Sequence, residues 1–244
     1  MSTIASNSLQ SCLGPRRQLD PSIGAATRRA AIVWFRNDLR VHDNECLNTA
    51  NNEFMSVLPV YCFDPRDHRK SSRWAEFFIE SVSDLRKNLQ ARGSDLVVTV
   101  GKPETVLAES AKAVGTDAIY AHREASRDEV KIEEKIEAAM KEEGVEVNYF
   151  WGSTLYHIDD LPFQLEDMLP NYGGFKEKLK GLAIRKAFEV PDQLKAMPSR
   201  GDVEPGNIPS LIDLGLDPRA RMPQYGNLAA RASIVGGERS IGDA

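Results

Sequence analysis

Between Arg36 and Asn44 the sequence reads RNDLRVHDN, seven polar side chains broken only by Leu39 and Val41. Two arginines and two aspartates so close together can bind a ligand or hold one another by charge-assisted hydrogen bonds. The plain alternative is a crowded loop satisfied from within. Arg36 then pairs with Asp38 or Asp43, and Asp43 or Asn44 caps the next helix. The readings are compatible, because a rigid, internally paired loop is what a binding site needs. Arg40, Asp43 and Asn44 are assigned to that structural role. An Arg36–Asp43 pair is expected, and Asp43→Ala is expected to cost about 1–2 kcal/mol. Metal chemistry is not expected. The four histidines (His42, His68, His122, His157) form no HxxxH or HExxH. Cys12, Cys46 and Cys62 are odd in number and share no CxxC spacing.

The polar loop follows an apolar run, Ala30 to Phe35, of the kind buried on both faces of a sheet. Similar runs at Ser56–Phe63, Leu96–Val100, Ala118–Ala121 and Val145–Phe150 predict four more strands. Between them fall helical patterns: Glu45–Asn52, capped at Asp43; an amphipathic stripe from Trp74 to Leu89, stopped by Gly93; a helix opened by Pro103; and a charged helix from Ser126 to about Glu143. The inner face of that last helix is read as Val130, Ile132, Ile136 and Met140, and its acids as a solvated face. Strands alternating with helices at this spacing mean βαβ units and an α/β fold. A doubly wound, flavodoxin-like parallel sheet of five strands is expected, in the order 3-2-1-4-5. Ligands of such sheets sit outside the carboxyl ends of the strands. Here those ends carry Arg36–Asp38, Cys62–Asp64, His122–Glu124 and Trp151–Gly152. For Cys62 the alternative is a small buried hydrophobe, and for Glu124 an exposed acid or a salt-bridge partner of Arg123 or Arg127.

Composition sets the outer limits. The chain has 244 residues, 41% hydrophobic and 27% charged, as in soluble globular proteins. A net charge of −5 argues against direct DNA binding by this chain alone. No apolar run approaches the ~20 residues that span a membrane. Residues 1–29 hold five Ser, four Arg and one acid, Asp20. That composition fits either a disordered tail or an organelle transit peptide, with a chloroplast plausible. The expected layout is a tail (1–29), an α/β domain (30–152), an extension with one helix over Phe175–Val190 (153–190), and a Pro/Gly-rich linker (191–244). The linker is expected to be irregular and loosely attached, with early protease cuts between Pro218 and Arg239.

The stretch VWFRNDLRVHDN (Val33–Asn44) resembles the opening signature of the photolyase/cryptochrome family, W-F-R-x-D-L-R-x-x-D-N. PVYCFDPRDH (Pro59–His68), GKPETVL (Gly101–Leu107), YAHREAS (Tyr120–Ser126) and FWGSTLYHIDDLPF (Phe150–Phe163) are similar to the DASH cryptochromes and to plant photolyase-like blue-light receptors. The resemblance implies the N-terminal α/β domain of that family, where an antenna chromophore docks, a folate of the methenyltetrahydrofolate type or a deazaflavin. It implies Trp34, Arg36, Asp38, Cys62, Phe63, Asp64, Arg73 and Glu124 as cofactor-binding candidates. Glu124 would accept ring N–H groups, and Arg36 or Arg73 would serve the acidic tail. The HRKSSRWAEFF stretch is shorter here than the family's F-x-K-T-G-x-x-R loop, which puts the position of Arg73 in question.

Family members carry FAD on a large helical domain. With no such helices in this sequence, FAD is not expected on this chain alone, and no catalytic residue is assigned. Three readings follow. The first is an antenna domain of a photoreceptor, read as a truncated form. The second is a flavodoxin-like module that binds a partner protein. The third is a light-dependent DNA-repair enzyme that needs a separate helical partner.

Overall fold

The computed structural model describes residues 28–66, 72–201 and 203–217. The expectations for residues 1–27, the 67–71 loop and residues 218–244 lie outside them. Residues 28–153 together with 187–217 form one unit, and residues 154–186 a second.

In the larger unit the strands are β1 (Ala30–Phe35), β2 (Ser56–Phe63), β3 (Val97–Val100), β4 (Ala118–His122) and β5 (Glu146–Phe150). All pairings are parallel, and the order is β3-β2-β1-β4-β5. The expected α/β architecture is borne out. Its helices are α1 (Glu45–Glu53), α2 (Ser72–Gln90), α3 (Pro103–Val114) and α4 (Arg127–Glu143).

The period-2 alternation of β1 divides the interior in two. Ala31, Val33 and Phe35 pack with Leu47 of α1 and with Val82, Leu85 and Leu89 of α2. Ile32 and Trp34 point the other way, toward Leu107 of α3 and Ile136 and Met140 of α4. Arg36 continues the even-numbered series, so its side chain emerges on the α4 side.

Asn44, not Asp43, caps α1: its side chain accepts a hydrogen bond from the Leu47 N–H at 2.9 Å. Asp43 stands at φ 51, in the left-handed region that Asp tolerates better than most residues. It is clipped to Phe188 by two bonds of 3.0 Å, Asp43 N–H to the Phe188 carbonyl and Phe188 N–H to Asp43 Oδ1.

The linker is irregular over its described part, but it is not loose. Leu194 is 5% exposed and joins the α1/α2 core. Val57 N–H donates to the Ala196 carbonyl at 3.2 Å, and Met197 and Val203 pack on the α3/α4 core. At the sheet edge Val98 N–H donates to the Pro205 carbonyl at 2.8 Å. Ile208 and Leu214 then return to the α1/α2 core, and Ser72 Oγ donates to the Asp217 carbonyl. The segment is a clasp that crosses from one face to the other around β3. Burial on both faces supplies what the Pro/Gly pattern hides, and it offsets the backbone ordering cost.

In the smaller unit the only α-helix among the described residues is α5 (Tyr172–Lys178). It is much shorter than the expected Phe175–Val190. Gly181 at φ 84 turns the chain, and Ile184 is 54% exposed. Helix continuation would have no core to bury against. Phe163 meets Phe175 edge-on at 6.0 Å, and Arg185 pairs with both oxygens of Asp160.

Candidate functional site

In the order 3-2-1-4-5 the chain reverses direction across the sheet between β1 and β4. The crevice of a doubly wound fold opens at their carboxyl ends. The loops after these strands meet there. Asn37 Nδ2 donates to Glu124 Oε1 at 2.8 Å, bridging the two. Glu124 is half-buried, and burial raises its carboxyl above the ordinary range despite the Asn37 hydrogen bond.

Beneath this bridge lies a buried ion cluster. Arg36 Nη1 donates to Glu133 Oε1 and, at 3.1 Å, to the His122 carbonyl. Its Nη2 reaches Glu129 Oε2 at 2.6 Å, and its guanidinium stacks 4.5 Å from the Trp34 ring. The side chains of Arg36 and Glu133 are 4% and 2% exposed. Glu133 Oε1 also accepts from the Glu124 N–H at 2.9 Å. Arg123 lies 3.5 Å from Glu133 Oε2 and over the Tyr149 ring at 4.6 Å. The expected pairing of Arg36 with Asp38 or Asp43 is therefore corrected. Asp38 accepts instead from Arg40, at 2.7 and 3.1 Å.

Beside the cluster, His122 is buried with Nδ1 3.3 Å from Asp38 Oδ2. Its Nε2 has no hydrogen-bond partner among the described residues. A Cβ at Gly152 would stand 2.8 Å from that nitrogen, so only glycine fits there. Burial lowers the His122 pKa below its usual value, with Asp38 opposing. The unfolded chain then takes up a proton at higher pH than the folded one. Stability should be level above neutrality and fall as pH drops through about 6.5. Glu124, with its raised carboxyl, acts in the opposite sense at lower pH, nearer the carboxylate range. The check is the melting temperature between pH 8 and 5.5. His122→Asn should flatten that profile, and an unchanged slope would place the titration elsewhere.

At the carboxyl ends of β2 and β3, Asp64 and Glu104 grip Arg66 from both sides at 2.7–3.2 Å. Arg66 holds the Glu104 carboxyl below its usual range. Cys62 donates from Sγ to the Gly101 carbonyl, and burial pushes its thiol up to about 11. It is thus a small buried donor and not a nucleophile. Phe63 is 8% exposed and lies edge-on to Tyr61 at 4.8 Å. Trp34 is 5% exposed, inside the α3/α4 core. Arg73 is exposed in the first turn of α2.

The crevice thus gathers Arg36, Asp38, His122 and Glu124, while Cys62, Phe63 and Asp64 stand at the β2 end. Sequence reasoning missed Asn37, Arg66, Glu104, Glu129 and Glu133. For the last there was a signal: Glu133, Ile136 and Met140 lie at i, i+3 and i+7, one stripe of a helix. An acid on an apolar stripe asks for a buried cation.

A half-buried carboxylate and a carboxamide, backed by a buried ion cluster, thus stand at the switch point of a doubly wound α/β sheet, the place where ligands of such folds bind. The family model for DNA photolyase matches residues 31–193. The blue-light photoreceptor PHR2 of Arabidopsis thaliana is 66% identical over 97% of this chain and 54% of its own length. The chloroplastic/mitochondrial cryptochrome DASH of the same plant is 37% identical over 82% of this chain and 37% of its own. The crystal structure of a Synechocystis cryptochrome matches 81% of this chain and 41% of its own, with a TM-score of 0.69 at 32% identity. The chain belongs to the DNA photolyase family. It spans about half the length of the PHR2 relative, and less of the others.

Proposed function

We propose that the larger unit is the antenna-chromophore domain of a blue-light receptor, working with a helical FAD-binding domain. The observation that carries this reading is the Asn37–Glu124 bridge over the crevice. A folate or deazaflavin ring presents N–H groups to be accepted and polar atoms to be met by an amide. The half-buried Glu124 carboxylate and Asn37 supply that donor–acceptor set, so the residues present fit such a group. When bound, the chromophore supplies near-ultraviolet absorption. The chain's part is to hold it and to exclude water. Of the two arginines considered for an acidic tail, Arg36 is held by Glu129 and Glu133 inside the domain, and Arg73 is exposed in the first turn of α2. The high identity to a blue-light photoreceptor supports a signalling role over repair. The Ser/Arg-rich start and a relative named chloroplastic/mitochondrial support a plastid location.

The test is reconstitution of the full chain with methenyltetrahydrofolate and with a deazaflavin, read by absorption and fluorescence. One of the two should be retained through gel filtration. Glu124→Gln should weaken it about tenfold or more, the loss of a hydrogen bond to a charged acceptor. Equal retention by wild type and Glu124→Gln, or none by the wild type, would sink the reading.

A further inference from the structure

Consecutive backbone groups are fixed where β4 runs out into the crevice. The His122 carbonyl accepts from Arg36 Nη1 at 3.1 Å. The Arg123 N–H donates to the Phe150 carbonyl at 2.8 Å. The Glu124 N–H donates to Glu133 Oε1 at 2.9 Å. The first and last of these meet at one carboxylate oxygen, because Arg36 Nη1 also donates to Glu133 Oε1. Glu133 Oε2 has no hydrogen bond among the described residues, and Arg123 Nε stands 3.5 Å from it. The hydrogen bonding of this buried side chain therefore runs through the oxygen that faces the Glu124 backbone.

An ion pair at this depth often adds no more stability than apolar residues of the same volume. A carboxylate at position 133 adds what apolar residues lack, an acceptor for the Glu124 N–H. An N–H left without an acceptor would draw the loop toward water. With its backbone held, Glu124 meets Asn37 Nδ2 at 2.8 Å across the crevice.

We propose that Glu133 is a positioning residue for the crevice: its Oε1 fixes the Glu124 backbone and so aims the Glu124 carboxylate at the ring N–H groups of a bound chromophore. The ligand in this statement rests on the antenna reading; the positioning rests on the geometry of the chain itself. Charge and acceptor are separable roles. The charge of Glu133 answers Arg36 and carries stability, whereas the oxygen answers the Glu124 N–H and carries aim. Glutamine keeps the oxygen and loses the charge, and methionine loses both at similar length.

The experiment uses the full chain with Glu133→Gln and Glu133→Met. In the ligand-free protein, amide exchange is followed at Glu124 and at Ile119, a fully buried residue of β4. The side-chain amide of Asn37 is followed by its NMR shift. In Glu133→Met the Glu124 amide should exchange about tenfold or more faster while Ile119 stays slow. The Asn37 signal should move as it does in Glu124→Ala, where the bridge is absent. Retention of methenyltetrahydrofolate or the deazaflavin should weaken about tenfold or more, the loss expected when a bond to a charged acceptor is broken. Glu133→Gln should keep the Glu124 amide slow, the Asn37 signal in place and binding close to wild type, although its melting temperature falls. If Glu133→Met does not fold, the same comparison is made in the Arg36→Met background, where no charge is stranded. A protected Glu124 amide in the methionine variant, or equal losses in the glutamine and methionine variants, would overturn the proposal. A wild type that retains neither chromophore removes the antenna reading alone, and the ligand-free signals still decide the positioning.

Discussion

Glu133→Ala is expected to destabilise the larger unit by about 3–5 kcal/mol, the cost of stranding a buried charge by removing its partner. Arg36 has almost no solvent contact, and Glu133 is its most buried acceptor. Glu129 remains in the variant, but it is more exposed and reaches a different guanidinium nitrogen. Glu133 Oε1 also accepts from the Glu124 N–H, so the crevice loop loses its anchor as well. A domain of this kind has only 5–15 kcal/mol in hand, so the urea midpoint should move far enough to read directly. A loss below about 1 kcal/mol would mean that water reaches Arg36 and the cluster is a surface network. Glu133→Gln should fall between, keeping the shape but not the charge.

Trp34→Ala is expected to cost about 3–5 kcal/mol, the usual loss for truncating a buried aromatic. The indole fills the α3/α4 core and also forms the floor under the Arg36 guanidinium. That contact is worth about 0.5–2 kcal/mol more. The loss should appear whether or not any chromophore is present, because the ring is enclosed by protein. Combined with Glu133→Ala, the effects should fall short of additive by about 0.5 kcal/mol or more, since both act through Arg36. Full additivity would separate the stack from the ion pair. A stability loss only when chromophore is present would mean that the ring belongs to the ligand and not to the core.

The sheet was legible in the chain because both periodicities are strong. Five apolar runs, each followed by a helical stripe or a loop, leave few topologies open once crossovers are short and one-handed. The site was legible at the level of strand ends, which name Arg36, Asp38 and Glu124, but not at the level of partners. Arg36 has two acids within seven residues, and it takes neither. Strand parity turns its side chain to the α4 face, where Glu129 and Glu133 lie more than ninety positions on. Local spacing carries no information about such a contact; the apolar stripe of α4, with one acid in it, does. The clasp was misread for a related reason. Pro and Gly announce irregular backbone, and irregular was taken for loose. Burial of a few scattered side chains, Leu194, Met197, Val203, Ile208 and Leu214, has no period for a sequence to show.

The clasp also sets an order in time. Arg86 precedes its acceptor on Pro205 by 119 residues. At ~5–20 residues per second, a ribosome takes ~6–24 s to cover that distance. Through that interval a nascent sheet already long enough to pair β1, β2 and β3 carries an uncovered edge. Only once Pro205 has been made can its carbonyl accept from the Val98 N–H and close the outer edge of β3.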